Sequence, residues 1–217
     1  MIEIILKILA SYLVGSMMGG LILSKVTGAE DIRKVGSKSA GATNALRTHG
    51  KVFGASVFII DILKGLLAVI VIAKIPSPVE AQSLLSVQWL QVGCGLAAFF
   101  GHLYPVFFGF KGGKGVATLL GAMLGLSPVL LLVVLLGWLT IFLFTGYVGL
   151  ASICAGVIAA LAAGFWQPAD FLSPLGIFTL VSAGLLLYTH RSNIQRLLAG
   201  TEHRFNVFGR FGNSSLI

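Results

Sequence analysis

Charged side chains are scarce in this chain: 15 Lys and Arg and seven Asp and Glu among 217 residues, or 10%, against about 25% in an ordinary soluble domain. Apolar residues make up 57% and the mean hydropathy is +0.98. A water-soluble fold is therefore excluded, and lipid is the solvent in which this chain folds. In lipid every backbone N–H and C=O must be bonded within the protein, which leaves helices or closed barrels. The period-two alternation of barrel strands is missing and long continuous apolar runs replace it, so an all-α, polytopic membrane protein is expected. Cysteine is scarce too. Cys94 and Cys154 lie inside apolar runs and read as small packing residues, which excludes a disulfide framework. With few carboxylates and four scattered His, neither a metal centre nor a cofactor site is expected. A Ser-His-Asp triad has no well-placed acid. The absence of an internal repeat removes support for an inverted-repeat transporter.

Apolar spans fall near 4–24, 52–73, 85–108, 116–126, 128–145, 148–165 and 174–189. The first is too long for a signal-peptide core and lacks a convincing cleavage site, so it reads as a span. The fourth is about half the roughly 20 residues of a full crossing. Either 116–145 is one long tilted helix, giving six spans, or two helices turn at Ser127-Pro128, giving seven. Charge favours seven. Lys25, Arg33, Lys34, Lys38, Arg47 and Lys51 precede the second span, Lys111 and Lys114 follow the third, and Arg191, Arg196, Arg204 and Arg210 follow the last. Those are 12 of the 15 basic residues, and seven spans put all of them on one side. That side is the cytoplasm, with the N-terminus outside and the C-terminus inside. The net charge of +8 thus reads as positive-inside topology, and no nucleic-acid partner is expected. The opposite loops hold only Lys74, Glu80 and Asp170. The chain reads as one domain over 1–217, with 205–217 as a flexible tail.

Four unusual segments share the cytoplasmic side: "DIRKVGSKSAGATNALR" (31–47), "GHLYPVFFGFKGGKGVAT" (101–118), "YVGLASI" (147–153) and "HRSNIQRLLAGTEHRF" (190–205). Together they offer Arg, Lys, hydroxyls, amides, His and glycine N–H groups with few carboxylates, an inventory suited to phosphate. Gly112, Gly113 and Gly115 permit close backbone approach at the start of a helix, where phosphate is attracted, and Lys111 and Lys114 add charge. The spacing is not that of a Walker A loop, and Gly115 stands where that motif needs Ser or Thr. The first segment repeats the design with Ser37, Ser39, Thr43 and Asn44, and Arg47 can grip phosphate bidentately. His190 and Asn193 share a helix face at i, i+3. Ser152 lies early in an apolar span, where a Ser commonly bonds back to its own helix. Asp61 and Lys64, at i, i+3 inside the second span, read as a structural ion pair or a helix-orienting device. His102, ahead of the Pro105 turn, either binds phosphate or orients the loop.

Taken together, these segments closely resemble the bacterial acylphosphate-dependent glycerol-3-phosphate acyltransferases, over almost the whole chain. The resemblance implies transfer of a fatty acyl group from acyl phosphate to the sn-1 hydroxyl of glycerol 3-phosphate, giving lysophosphatidic acid and inorganic phosphate. It implies Ser37, Arg47, Lys114, Ser152, His190 and Asn193 as catalytic residues, with Thr43, Asn44, Lys111, Gly112, Gly113 and His102 as substrate-binding residues. It further implies the bacterial cytoplasmic (inner) membrane, surrounding lipid, a cytoplasmic active site and a working monomer. Many relatives carry Asn at Ser39 and Ser at Gly149. No His is followed five residues later by Asp, the spacing of another large class of glycerolipid acyltransferases. A transporter of an organic phosphate is the alternative, but it would place its binding groups near the bilayer midplane. A basic scaffold for anionic lipid explains the charge but not the hydroxyls and amides of 36–47.

Overall fold

In the computed structural model, which describes residues 1–76, 86–166 and 172–207, the chain is helical, with no strand among the described residues. The helices are α1 (Ile2–Gly15), α2 (Gly19–Thr27), α3 (Ala42–His49), α4 (Lys51–Leu67), α5 (Val87–Leu103), α6 (Val116–Leu126), α7 (Pro128–Thr145), α8 (Val148–Trp166), α9 (Pro174–Thr189) and α10 (Arg191–Leu198). A π-helical turn, Ala68–Ile72, extends α4, and a short 3-10 turn, Val106–Phe108, follows α5. Glu80, Asp170, Arg210 and most of the expected tail, 208–217, lie outside the described residues. The helices form two compact units, Met1–Ser127 and Pro128–Ile217.

The polarity of α1 is inverted relative to a soluble helix. Its buried positions are Lys7, Ser11 and Gly15, while Ile5, Leu6, Leu9 and Leu13 are exposed. A helix in water would not be stable that way round; in lipid the large apolar side chains meet the solvent and small or polar ones meet protein. Helix crossings follow from this rule. A Cβ on Gly15 would overlap the Ala98 carbonyl of α5, and one on Gly101 would overlap the Tyr12 carbonyl of α1. Gly65 of α4 and Gly121 of α6 face the backbone at Thr118 and Ile62 in the same manner. In the second unit α8 buries Gly149, Ala151, Ser152, Ala155, Gly156, Ala159 and Ala163, and turns Val157, Leu161 and Phe165 outward.

Among the described residues four helices are long and apolar enough to cross a membrane: Lys51–Ile72, Val87–Phe108, Pro128–Thr145 and Val148–Trp166. The segment expected as one span over 4–24 is broken. Ile2–Gly15 and Gly19–Thr27 are bent by 47°, and count as a fifth span if taken together. Val116–Leu126 and Pro174–Thr189 are shorter apolar helices; at 1.5 Å per residue they are about 16 and 24 Å long, under the roughly 30 Å hydrocarbon core. A continuous helix over 116–145 does not form. Ser127 is extended (φ −156, ψ 93) after α6, and Pro128 opens α7, where its missing N–H costs nothing.

Candidate active site

The first polar loop is built around Asn44, which is 2% exposed on the first turns of α3. Its Nδ2 group donates to the carbonyls of Ile32 (2.7 Å), Val35 (3.1 Å) and Ser39 (3.0 Å). Its Oδ1 accepts from the Ser37 N–H at 2.8 Å. A Cβ at Gly36, where φ is +60, would overlap that same oxygen. The Asn44 amide therefore shapes the loop from inside, and Ser37, Thr43 and Arg47 are carried on the frame it holds. Lys38 takes φ 57 in this loop and Phe110 takes φ 59 in the second, a costly conformation for residues with a Cβ.

Arg33 joins the two loops. Asp31 accepts from its Nη2 at 2.8 Å and from its Nε at 3.1 Å. The Nη1 group reaches the Phe108 carbonyl at 3.1 Å and the Lys111 carbonyl at 3.3 Å. The bond from Arg33 holds the Asp31 carboxyl below its ordinary pKa of 3.8, because a hydrogen bond to the charged form favours that form. The guanidinium thus anchors the glycine-lysine loop to the serine loop.

Within the second loop the glycines meet His102. A Cβ on Gly112 would overlap the His102 carbonyl, and one on Gly113 would overlap the His102 Nε2. The Gly113 N–H donates to the His102 carbonyl at 3.2 Å. Gly115, at φ +79, leaves room for the Phe99 ring. Glycine is required here by close packing on α5, and the Gly113 amide is already engaged. His102 itself is 2% exposed, with Nδ1 3.6 Å from Asp61 Oδ1. Of the two sequence readings of His102, this geometry favours the loop-orienting one. Asp61 and Lys64 also resolve into a definite role. Their ion pair is 3.0 Å long. Lys64 Nζ donates to the Met17 carbonyl at 3.2 Å, and the Gly19 N–H donates to Asp61 Oδ1 at 3.5 Å. The pair satisfies backbone groups that the break between α1 and α2 leaves without helical partners.

In the second unit, Ser152 is 2% exposed; its hydroxyl donates to the Val148 carbonyl at 2.9 Å and accepts from the Trp138 indole N–H at 3.2 Å. His190 ends α9 and is 2% exposed. Its Nδ1 lies 2.9 Å from the Leu186 carbonyl. A carbonyl only accepts, so this contact puts a proton on Nδ1. Asn193 donates to Glu202 Oε1 at 2.7 Å, and Arg196 Nε donates to Glu202 Oε2 at 2.6 Å. A Cβ at Gly149 would stand 2.7 Å from Asn193 Nδ2, so the glycine lets α10 seat against α8. Arg204 Nε reaches the Thr145 carbonyl and the Phe205 N–H reaches the Gly146 carbonyl, both at 2.9 Å. The first residue of the expected tail is thereby tied to the α7–α8 turn.

A family profile described as glycerol-3-phosphate acyltransferase matches residues 5–200. The chain belongs to the glycerol-3-phosphate acyltransferase family. A relative with that name from Aquifex aeolicus is 44% identical over 198 residues, covering 91% of this chain and 97% of its own. Another from Geobacter sulfurreducens is 44% identical over 206 residues, covering 94% and 98%. Among solved structures, the crystal structure of PlsY (YgiH), an integral membrane glycerol 3-phosphate acyltransferase, in its glycerol 3-phosphate form is 42% identical. It matches with a TM-score of 0.80, covering 93% of this chain and 95% of that one. The lysophosphatidic acid form of PlsY is 40% identical, with a TM-score of 0.78 and the same coverage.

As a member of this acyltransferase family the chain is an integral membrane enzyme, and two of the residues that organise it, Arg33 and Glu202, carry little signal in the sequence. Arg33 reads in sequence as a loop charge; its signal is the Asp two residues before it, which fixes its guanidinium. The signal for Glu202 is its place as a carboxylate between basic residues in a chain with only seven. Among the described residues there is no group of three His, Cys, Asp or Glu able to hold a metal ion.

Proposed function

We propose that this protein transfers a fatty acyl group from acyl phosphate to the sn-1 hydroxyl of glycerol 3-phosphate, releasing lysophosphatidic acid and inorganic phosphate. The hydroxyl oxygen bonds to the acyl carbon, the bond from that carbon to the phosphate oxygen breaks, and the hydroxyl proton passes to an oxygen of the departing phosphate. The mixed anhydride carries its own leaving group, so no covalent enzyme intermediate is needed. The protein's task is to position two anions that repel each other and to neutralise them. Arg47 and Lys114 supply the positive charge, with Lys111 at the rim. Ser37, Thr43 and the Gly112 region supply neutral donors, and Asn44, Gly113 and His102 hold the loops that carry them. His190, its Nδ1–H held by the Leu186 carbonyl, orients the acceptor hydroxyl or assists its deprotonation. Asn193 and Ser152 serve the same reaction from α10 and α8.

The observation that carries this reading is the Arg33 bridge, which ties the serine loop to the glycine-lysine loop and so concentrates phosphate-binding chemistry in one place. The family profile runs through both compact units, which supports one acyltransferase domain over the chain. Charge distribution supports seven spans with the N-terminus outside and the C-terminus and active site cytoplasmic; family resemblance extends this to the bacterial inner membrane and a monomer surrounded by lipid. Purified protein in detergent or lipid cubic phase, given acyl phosphate and glycerol 3-phosphate, should release phosphate and form lysophosphatidic acid only with both substrates present. Lys114→Ala should abolish it. Folded wild-type protein that makes no product from this pair would refute the proposal. Near-normal turnover in His190→Gln would exclude a proton-transfer role for that ring.

A further inference from the structure

Three titratable side chains are buried together in the first unit, and the reaction proposed above consumes none of them. Asp61 is 1% exposed, Lys64 5% and His102 2%. An ion pair inside a membrane helix is costly, and apolar residues would serve a plain span better. This pair does something an apolar pair could not, because it bonds to the backbone on both sides of the α1–α2 break.

We propose that Asp61 is a positioning residue for both polar loops: it fixes α2 on one side and, through His102, the Gly112–Lys114 loop on the other. The inference rests on the acyl-transfer reading, since it assigns those loops to the phosphorylated substrates. The α2 arm is short. A Cβ on Gly20 would meet the Ile32 side chain and lie 3.0 Å from the Ala40 carbonyl, and Ser24 Oγ donates to the Glu30 carbonyl at 3.2 Å. The direction of α2 therefore sets where residues 31–41 begin and end. The His102 arm runs through a 3.6 Å approach between Nδ1 and the Asp61 carboxylate, longer than a hydrogen bond. Nδ1 faces Asp61, the opposite edge of the ring backs Gly113, and the His102 carbonyl receives the Gly113 N–H. A ring that rotates away from Asp61 releases the floor of the loop bearing Lys114. One carboxylate near the middle of α4 thus holds two loops that are about 70 residues apart in sequence.

The test compares wild type, Asp61→Asn, His102→Gln and their double variant in steady-state acyl transfer, alongside hydrogen exchange of 31–41 and 109–115. Asp61→Asn should raise KM for at least one phosphorylated substrate threefold or more, with kcat changed less, and speed exchange in both loops. The double variant should show less than the product of the single effects, because Asp61 acts through the ring. Folded Asp61→Asn with both KM values moved less than threefold, faster exchange in one loop only, or fully multiplicative single effects would each overturn the inference. If Asp61→Asn does not fold, Asp61→Asn/Lys64→Met removes both charges together and takes its place; failure of that variant to fold would make Asp61 a folding residue only, and the inference falls. An inactive wild type would refute the acyl-transfer reading alone. The inference would then stand or fall on hydrogen exchange, with both loops required to loosen together.

Discussion

Replacing Asn44 by Asp changes one atom pair and tests whether the serine loop is built from inside. The acceptor facing the Ser37 N–H is retained. The amide that donates to the carbonyls of Ile32, Val35 and Ser39 becomes a carboxylate oxygen facing three carbonyl oxygens. Those three contacts share two hydrogens, so two hydrogen bonds are lost, at about 1 kcal/mol each. Like-charged partial dipoles at 2.7–3.1 Å add to the cost, and the site is nearly closed to water. Local opening of 31–41 should become easier by about 2 kcal/mol or more, which is roughly a 30-fold loss of exchange protection. Hydrogen exchange on the protein in detergent reads this directly, with phosphate release measured on the same sample. Protection of 31–41 should collapse, turnover should fall with it, and exchange in α8 and α9 should stay as in wild type. Unchanged protection of 31–41 together with lost turnover would refute the reasoning, and would make Asn44 a group that acts on substrate.

Ser152→Ala removes the acceptor of the Trp138 indole N–H and should lower thermal stability in detergent by about 1–3 kcal/mol. Once Trp138→Phe has removed the donor, the same change should cost far less; a hundredfold fall in kcat with an unchanged melting temperature would instead give Ser152 a direct catalytic role. Gly113→Ala drives a methyl group into the His102 ring and should weaken substrate binding at least tenfold, whereas Gly109→Ala, in a glycine with nothing near its Cβ position, should not act through packing and should show only the backbone strain of φ +66. Asp31, held below its ordinary 3.8 by Arg33, stabilises the loop at neutral pH and loses that contribution as pH falls past 3.8 through its lowered value. Exchange of 31–38 should rise on that acid limb, and Asp31→Asn should be loosened at neutral pH and flat across it.

Much of the helical layout was legible because lipid makes simple demands. A run of large apolar residues has few alternatives in hydrocarbon, and Pro128 can open a helix but not continue one. The apolar segments therefore fall on helices nearly residue for residue. The break at Ser16–Met18 was hidden because its cause lies elsewhere. There is no proline there, and the residues that satisfy the opened backbone are Asp61 and Lys64 on α4. The glycine-lysine loop was legible as a motif, but the reason for its glycines was not: Gly112 and Gly113 answer to His102, a partner whose closeness only the turn at Pro105 creates. Gly149 is similar. In sequence it is a missing hydroxyl; in the fold it is the space Asn193 occupies.

The few carboxylates that stand near the candidate residues share one treatment. Asp31 is paired with Arg33, Asp61 with Lys64, and Glu202 with Arg196 while it also holds Asn193. An unpaired carboxylate beside a phosphate would oppose binding, and at an effective dielectric of about 20 two unit charges 4 Å apart interact by about 4 kcal/mol. Neutralising each acid locally keeps the field of the polar loops positive, while each acid still organises a donor. His190 fits the same economy. Its Nδ1–H is given to the Leu186 carbonyl, so no carboxylate is needed to fix the tautomer, as it would be in a hydrolytic triad. The proposed reaction between two anions favours that choice. In the proposed reaction a carboxylate that sharpened a histidine base would also repel both substrates; a backbone carbonyl orients the ring instead, and the departing phosphate is proposed to take the proton.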